Sequence, residues 1–191
     1  MSIEIVTDST SEPITLVEAK DYCRITDSDS DSLIDSLITL ARERVELATN
    51  RKLLTATLKL TLDKFPYWII PLPGGTVQSI SSFTYLDKNK NSQTLSATIY
   101  DEQLNKEPAI LLRKAGYSWP SLYENGNAVV ITYDVGWATK EEIPKGLILA
   151  IKSLVLFYYN NRELNERNTL SLPSEFDRLV FSHRVYEAGN D

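Results

Sequence analysis

Apolar residues recur at helical spacing in two stretches near the start of the chain. A short first helix is predicted to begin after Thr15, which stands at capping-box spacing from Glu18, and to end near Ile25. A polar, acidic break follows, and a second helix is predicted over residues 31–49. Its apolar stripe consists of Leu33, Ile34, Leu37, Ile38, Ala41, Val45 and Ala48. The charged residues predicted to lie mostly on the other face are Arg42, Glu43, Arg44 and Glu46.

The apolar period changes to two after Asn50, which indicates β-strands. We predict strands at residues 54–62, 68–70, 77–86, 98–100, 109–112 and 128–135. The dipeptide Asn125-Gly126 has the composition of a hairpin turn, because both residues tolerate positive φ angles. The middle of the chain is therefore predicted to be an antiparallel β region of about six strands.

Helical spacing returns after Pro144, a residue that suits the first turn of a helix. The predicted third helix, residues 147–159, is apolar on nearly every side, so most of its surface needs to be covered. Either the rest of its own domain or a neighbouring subunit can provide that cover. A last short helix is predicted to begin at Pro173 and Ser174, with Ser174 and Asp177 at capping-box spacing. The first ten residues are predicted to form an irregular arm.

These elements predict a single α+β domain over residues 1–191. Two N-terminal helices and the long third helix are expected to form a small helical core from residues 13–50 and 142–163. The β region, residues 53–136, is inserted into this core and displayed at its periphery. Residues 164–191 are predicted to be a C-terminal arm with a short helix.

The composition is that of a globular protein without a membrane segment. Hydrophobic residues make up 42% of the 191 residues, and the net charge is −6. The longest apolar stretch, residues 147–159, is shorter than the roughly 20 residues that span a bilayer. The acidic balance disfavours tight DNA binding, although it suits a channel through which DNA only passes. The start of the chain lacks the features of a signal peptide, and a lone cysteine forms no internal disulfide, so we expect synthesis in the cytosol.

Two residues with reactive side chains are each the only one of their type. His183 is placed on the apolar face of the last helix, and Cys23 on that of the first helix. A buried structural thiol is the usual role for a cysteine in such a position. A zinc site needs more cysteine or histidine ligands than this chain contains. We therefore expect both residues to be structural.

Other motifs that could bind ions are incomplete. Asp27, Asp29 and Asp31 imitate the start of a calcium loop, which requires glycine and glutamate at positions occupied here by Ser32 and Ile38. The turn at residues 73–75 is not followed by the Lys-Ser/Thr pair of a phosphate-binding loop. We predict no catalytic, cofactor-binding or metal-binding residues, no cofactor and no enzymatic activity.

The aromatic residues leave a further alternative open. Trp68, Trp119 and Trp137, together with ten tyrosines, could line a surface on which sugars or bases stack. Aromatic residues are also expected in a β core or a subunit interface, and we favour this interpretation. A hydrolase built on a pair of carboxylates is a weaker hypothesis, because none of the 26 acidic residues has a distinctive spacing.

The order of the segments resembles the head–tail connector, or adaptor, proteins of tailed bacteriophages. Residues 16–20, LVEAK, are similar to the L-x-E-A-K helix that opens this family. Residues 41–46, ARERVE, and residues 49–54, TNRKLL, are similar to the end of its second helix and the following turn. Similarity to the family's inserted strands, third helix and closing helix is found at residues 70–73, 77–80, 131–137, 143–144, 150, 158–163 and 172–184. The chain resembles a longer form with a β insertion.

This resemblance implies a structural role in the virion, at the head–tail junction, after assembly in the host cytoplasm. Identical subunits would form a ring under the portal protein, extend the DNA channel and receive a tail or stopper protein. DNA would pass through the lumen without sequence-specific binding, and no membrane would be involved. The alternatives are another neck or tail morphogenesis component and, less favoured, a carbohydrate-binding module.

The end of the chain is expected to become ordered only when the ring docks on the portal. This expectation covers the polar segment 160–168 and the last helix. Deletion from Asn165 onward is accordingly expected to leave folding intact and to abolish assembly.

Overall fold

A computed structural model describes residues 1–124, 126–161 and 172–186, and it has the predicted α+β fold. Within these residues the helices are α1 (Leu16–Cys23), α2 (Asp31–Thr49), α3 (Lys145–Asn160) and α4 (Ser174–Phe181). The strands are β1 (Ser2–Thr7), β2 (Ala56–Leu62), β3 (Ile69–Leu72), β4 (Val77–Leu86), β5 (Ser92–Thr94), β6 (Tyr100–Gln103), β7 (Ala109–Arg113) and β8 (Val129–Val135). The predicted bounds of α2 and β4 are confirmed.

The strands form two antiparallel sheets that share one core. The larger sheet has the order β1-β2-β8-β4-β5, and the smaller has the order β3-β7-β6. Alternate residues of β2 and β8 are buried, as the period of two predicts. Side chains of both sheets, such as Leu60 and Ile131 from the larger and Leu72 and Leu111 from the smaller, belong to one hydrophobic cluster. The sheets therefore bury their apolar faces together.

The helices bury a second, separate hydrophobic cluster. Ile38 and Val45 of α2 belong to it together with Ile151 and Leu154 of α3, so the predicted shared core of these helices is confirmed. The predicted capping box of α1 is also present: the Glu18 amide donates to Thr15 Oγ1 at 3.2 Å, and the Thr15 amide donates to Glu18 Oε2 at 2.7 Å. Both orphan amides at the helix start are thereby satisfied.

A backbone bridge is one of the connections between the helical core and the sheets. Leu54, which precedes β2, forms an isolated bridge with Trp137, which follows β8. Gly136 lies between β8 and Trp137 with φ +93°, and its amide donates to the carbonyl oxygen of Thr76 at 2.8 Å. A Cβ atom on Gly136 would overlap the carbonyl oxygen of Leu54. Glycine is therefore required here both for its φ angle and for the close backbone approach.

The prediction of an irregular N-terminal arm is wrong, because residues 2–7 form the edge strand β1. Ile3 lies opposite Leu60, and Ile5 lies opposite Leu58 of β2. All six side chains of β1 are exposed. Backbone pairing with β2, and not burial of one face, thus holds the strand. The alternation of the apolar Ile3 and Ile5 with the polar Ser2 and Glu4 is the signal in the sequence that the prediction overlooked. The short strand β5 is also exposed on every side and was not predicted either.

Three local predictions need correction. The strand expected at residues 98–100 is a 3-10 turn over Ala97–Ile99, and β6 begins only at Tyr100. Asn125-Gly126 does not close a hairpin, because β7 and β8 belong to different sheets; Asn125 itself lies outside the described residues. The last helix has Pro173 as its N-cap, so Ser174 is a helical residue without a capping hydrogen bond.

The expectation that the last helix orders only on the portal is wrong for α4. Phe176 and Val180 are buried in the helical core, and the Val185 amide donates to the carbonyl oxygen of Thr49 at 2.9 Å. Deletion from Asn165 onward, a residue outside the described ones, would remove Phe176 from this core and is now expected to destabilise the protein. Residues 162–168 of the polar segment also lie outside the described residues, and the division into domains stays a prediction.

Candidate functional site

The two candidate reactive residues lie in structural surroundings. Cys23 is half-buried at the end of α1, and burial raises the pKa of its thiol. His183 follows α4, and its pKa is lowered by burial and by the charge of Arg51, against an opposing effect of Glu107. The backbone oxygen of His183 accepts a hydrogen bond from Arg51 Nε. Both shifts favour the uncharged form of the side chain.

The incomplete ion-binding motifs take part in local structure. Asp27 accepts a hydrogen bond from the backbone amide of Asp29 at 3.3 Å, and Asp31 pairs with Lys20 at 2.5 Å. Gly74 and Gly75 both have positive φ angles in the turn after β3. Across the described ranges, no three His, Cys, Asp or Glu side chains are grouped so that they could hold a metal ion. No helix of the described residues is long and apolar enough to cross a membrane.

The three tryptophans do not form one ligand-binding surface. Trp119 stacks on Phe65 with 4.7 Å between ring centroids, and Trp68 lies under the guanidinium of Arg113 at 4.1 Å. Trp137 packs instead against the helical core. The arrangement favours the interpretation of these residues as core and interface residues over a row of stacking platforms.

An exposed aromatic surface nevertheless forms around Arg113, at the end of β7. Tyr67, Trp68, Ile69 and Tyr117 are its exposed apolar members. Arg113 organises the surface, because its Nε donates to the carbonyl oxygen of Tyr67 at 3.1 Å while its guanidinium stacks on two of the rings. Exposed aromatic residues beside an arginine are the composition of protein interfaces.

A group of charges around the buried Arg42 and Glu46, the Arg42 cluster, also contains Asp8, Glu12 and Lys52. Arg42 Nε lies 3.0 Å from Glu12, and Lys52 Nζ lies 3.0 Å from both Glu46 and Asp8. Arg42 and Glu46 were predicted to lie mostly on the exposed face of α2, but both are buried. The prediction fails because the segment that leads from β1 to α1 crosses this face and brings Asp8 and Glu12 to it.

Mutual contacts favour the charged forms of Lys52 and Asp8. Burial alone would lower the pKa of Lys52, but hydrogen bonds to Glu46 and Asp8 outweigh it and raise this pKa above its ordinary value. Burial would raise the pKa of Asp8, but its hydrogen bond with Lys52 leaves that pKa below its ordinary value. The cluster therefore attaches the N-terminal segment to α2 with opposite charges.

Replacing Glu46 with glutamine is expected to lower the free energy of unfolding by about 2 kcal/mol. The Glu46 carboxylate accepts from Lys52, from Arg42 and from the backbone amide of Leu53, and a neutral amide cannot balance the two cations. Glu43→Gln, an exposed position on the same helix, is the control and is expected to change stability by less than about 0.5 kcal/mol. Denaturant unfolding measures both variants, and equal losses would contradict the assigned role of the cluster.

A second group of contacts, the Arg51 clamp, joins three distant parts of the chain. The Arg51 guanidinium binds both carboxylate oxygens of Glu107, at 2.7 and 2.5 Å, while its Nε donates to the backbone oxygen of His183. Thr76 also donates to Glu107 at 3.1 Å. The hydrogen bond from Arg51 lowers the pKa of Glu107, against the effect of burial. The end of α2, the β6–β7 connection and the segment after α4 are thus held together.

Among the described residues, the Arg42 cluster and the Arg51 clamp are polar connections between distant segments of the chain. Sequence reasoning missed the Arg42 cluster and the Arg51 clamp, because their members are up to 132 residues apart in the chain. No local motif signals them. Such an arrangement can maintain the shape of the subunit and present fixed surfaces to other proteins.

Comparison with known proteins gives a family and a fold. The model of the phage gp6-like head–tail connector proteins matches residues 13–106, which extend from α1 through β6 and include the opening helices. No curated protein matches the chain. A chain in the neck of an empty gene transfer agent particle, computed with C6 symmetry, is similar in fold, with a TM-score of 0.81 and 18% identity over 100% of this chain and 99% of that one.

A second solved structure has the same fold. A chain from the neck of a native gene transfer agent particle, computed with C12 symmetry, has a TM-score of 0.79 at 16% identity, again over 100% of this chain and 99% of that one. At such identities the likeness concerns the fold alone. It covers the helical core and both sheets.

Proposed function

We propose that this chain, which matches the model of the phage gp6-like head–tail connector proteins over residues 13–106, is a structural adaptor subunit that forms a ring in the neck of a phage-like particle. The family match carries the adaptor role. The similarity in fold covers the whole chain, and the similar chains come from the necks of particles. This supports a location in the neck for the proposed adaptor. The β region is then a part of the adaptor and not a separate module.

The proposed assembly is a closed ring of identical subunits under the portal protein. The cyclic symmetries named for the two similar necks support a ring. In a cyclic ring each subunit contacts its neighbour through two different surfaces, which must be complementary. The ring would extend the DNA channel from the portal and receive a tail or stopper protein at its other side.

The proposed role requires binding surfaces and a stable fold, but no catalytic activity. An adaptor in the virion neck has to fix the relative positions of its partners and let DNA pass. The net charge of −6 suits a passage that does not retain the phosphate backbone. We place assembly of the ring in the host cytoplasm and the finished ring in the virion.

The experiment is a mass measurement by light scattering over a concentration series, with the protein alone and with the portal protein of the same phage. Portal alone is the control for its own mass. We expect a ring-sized species, formed either by the protein alone or only after portal is added. A protein that keeps the mass of a monomer at every concentration, with and without portal, would overturn the proposal.

A further inference from the structure

The outer side of β1 is a free sheet edge. β1 lies at one end of the larger sheet and pairs with β2 on its inner side. Among the described residues, no strand pairs with its other side. In an antiparallel strand, the backbone N–H and C=O groups of alternate residues point to the same side. About half of the backbone groups of this six-residue strand therefore point outward, with the spacing that fits another extended chain.

The three other edges of the two sheets are protected against the addition of a strand, whereas β1 is not. β5 has only three residues, β3 contains Pro71, and β6 contains the exposed Asp101 and Glu102. Short length, proline and charge are the usual protections of a sheet edge. β1 has the sequence SIEIVT, which is rich in β-branched residues and contains neither proline nor lysine. Its pairing with β2 is regular over residues 2–5, so this part of the edge is straight enough to accept a further strand.

An apolar groove lies beside this edge. Ile5 is opposite Leu58, a buried residue of β2, so it faces the core side of the sheet. Ile3 faces the same side, and both isoleucines are exposed because the core does not extend over β1. They line a cavity of about 530 Å³ together with Leu47, which lies near the end of α2 and is 68% exposed. A strand added beside β1 would direct alternate side chains into this cavity.

The charges in the groove favour a basic residue in the added strand. The cations that line the groove already have partners, Lys52 in the Arg42 cluster and Arg51 in the Arg51 clamp. Glu43 also lines the groove, is exposed, and forms no ion pair with the described residues. Arg44, its neighbour on α2, is not part of the lining and acts instead on Tyr158 of α3. The groove therefore has an excess negative charge that disfavours an acidic segment.

A second copy of this chain offers no suitable strand among the described residues. β5 is too short, β3 contains proline, and β6 would bring its acidic residues toward Glu4 and Glu43. A second β1, centred on Glu4, would place the two Glu4 carboxylates opposite each other, which is unfavourable. Each β1 has only one free edge, so such a pair would end as a dimer and could not continue around a ring. The remaining occupant is a segment of another protein.

We propose that the edge of β1 and the adjoining groove bind an extended segment of another protein, which adds a further strand to the larger sheet. The segment has apolar side chains at alternate positions, which enter the groove beside Ile3, Ile5 and Leu47, and a basic residue near Glu43. Backbone hydrogen bonds supply affinity, and the groove selects the side chains. The inference goes beyond the proposed ring function and does not depend on ring formation.

The probe is a capped synthetic peptide with the sequence of β2, ATLKLTL, flanked by one lysine at each end. In the fold this sequence already pairs with β1, with two leucines opposite Ile3 and Ile5 and a lysine opposite Glu4. The control peptide keeps the leucines and lysines but has proline in place of both threonines, so it lacks two backbone donors. Fluorescence anisotropy of the labelled peptides measures binding to the purified protein, and hydrogen exchange locates the binding site.

We expect the β2 peptide to bind with a dissociation constant below about 1 mM and to slow the hydrogen exchange of the β1 amides. The control peptide should not bind, because proline prevents it from continuing the sheet. Leu47→Asp removes an apolar wall of the groove and should weaken binding of the β2 peptide at least about tenfold.

Two further variants complete the test. Ile5→Lys changes an exposed residue of the edge itself and is expected to weaken binding as well, so it replaces Leu47→Asp if circular dichroism shows that the latter does not fold. Val17→Asp changes a residue of α1 that is 66% exposed and lies outside the groove. This control variant should bind the β2 peptide like the wild type.

Three results would overturn the proposal. Equal binding of both peptides would mean that they contact the groove without adding a strand. Absence of binding of the β2 peptide at about 1 mM would mean that the edge accepts no strand. Protection of the β1 amides that appears without peptide, together with the mass of a dimer, would assign the edge to a second copy. The ring function is tested separately by the mass of the assembled species, so failure of one proposal leaves the other standing.

Discussion

Replacing Gly136 with alanine is expected to destabilise the protein by about 3 kcal/mol or more. The φ angle of +93° alone costs an L-residue about 1–2 kcal/mol. The new Cβ atom would also overlap the carbonyl oxygen of Leu54, which belongs to the backbone and cannot rotate away like a side chain. Relief of the overlap would move β8 from the start of β2, where Leu54 and Trp137 connect the helical core to the larger sheet.

Gly116→Ala is the matched control for Gly136→Ala. Gly116 has a similar φ angle of +83°, but no atom lies within 4 Å of the position that its Cβ would occupy. The control should therefore show only the conformational cost of about 1–2 kcal/mol. Calorimetry should give a melting temperature for Gly136→Ala at least about 6 °C below that of the wild type. Equal effects of the two substitutions would show that the junction can shift without cost.

Replacing Phe176 with alanine is expected to cost about 3–4 kcal/mol of unfolding free energy. Phe176 is 1% exposed and is the largest side chain that α4 places in the helical core. Its removal leaves a cavity between α4 and the core helices. We expect α4 to detach first, because Val180 is then its one remaining fully buried residue. Hydrogen exchange of the α4 amides should accelerate before the amides of α2 and α3 are affected.

Phe181→Ala provides the matched control on the same helix. Phe181 is 63% exposed, so its substitution is expected to change stability by less than about 0.5 kcal/mol. Denaturant unfolding of the two variants compares a buried with an exposed phenylalanine five residues apart. If Phe176→Ala is as stable as Phe181→Ala, the packing of α4 against the core does not contribute to the free energy of unfolding.

The sequence predicted those elements whose side chains divide between core and solvent. α2, β2 and β8 have clear periods because one face of each is buried, and the capping box of α1 is a local motif of four residues. The resemblance to head–tail connectors likewise rests on local segments near the start of the chain. For these features, neighbouring residues contain all the information that the prediction needs.

Strands that are held by backbone pairing alone were not predicted. β1 and β5 expose every side chain, so their places at the two edges of the larger sheet depend on the strands beside them. The burial of α4 was not predicted either. An amphipathic helix of eight residues has the same sequence pattern whether it packs against the core of its own chain or only against a binding partner.

The surfaces and polar connections were decided only by the tertiary structure. Arg42 and Glu46 look like exposed charges on α2 until the segment between β1 and α1 brings Asp8 and Glu12 over them. The Arg51 clamp brings together groups separated by 56 and 132 positions in the chain. Conversely, Leu33 belongs by pattern to the predicted apolar stripe of α2 but is 37% exposed. Periodicity specifies which residues share a face of a helix, whereas only the packing of the other elements determines which faces become covered.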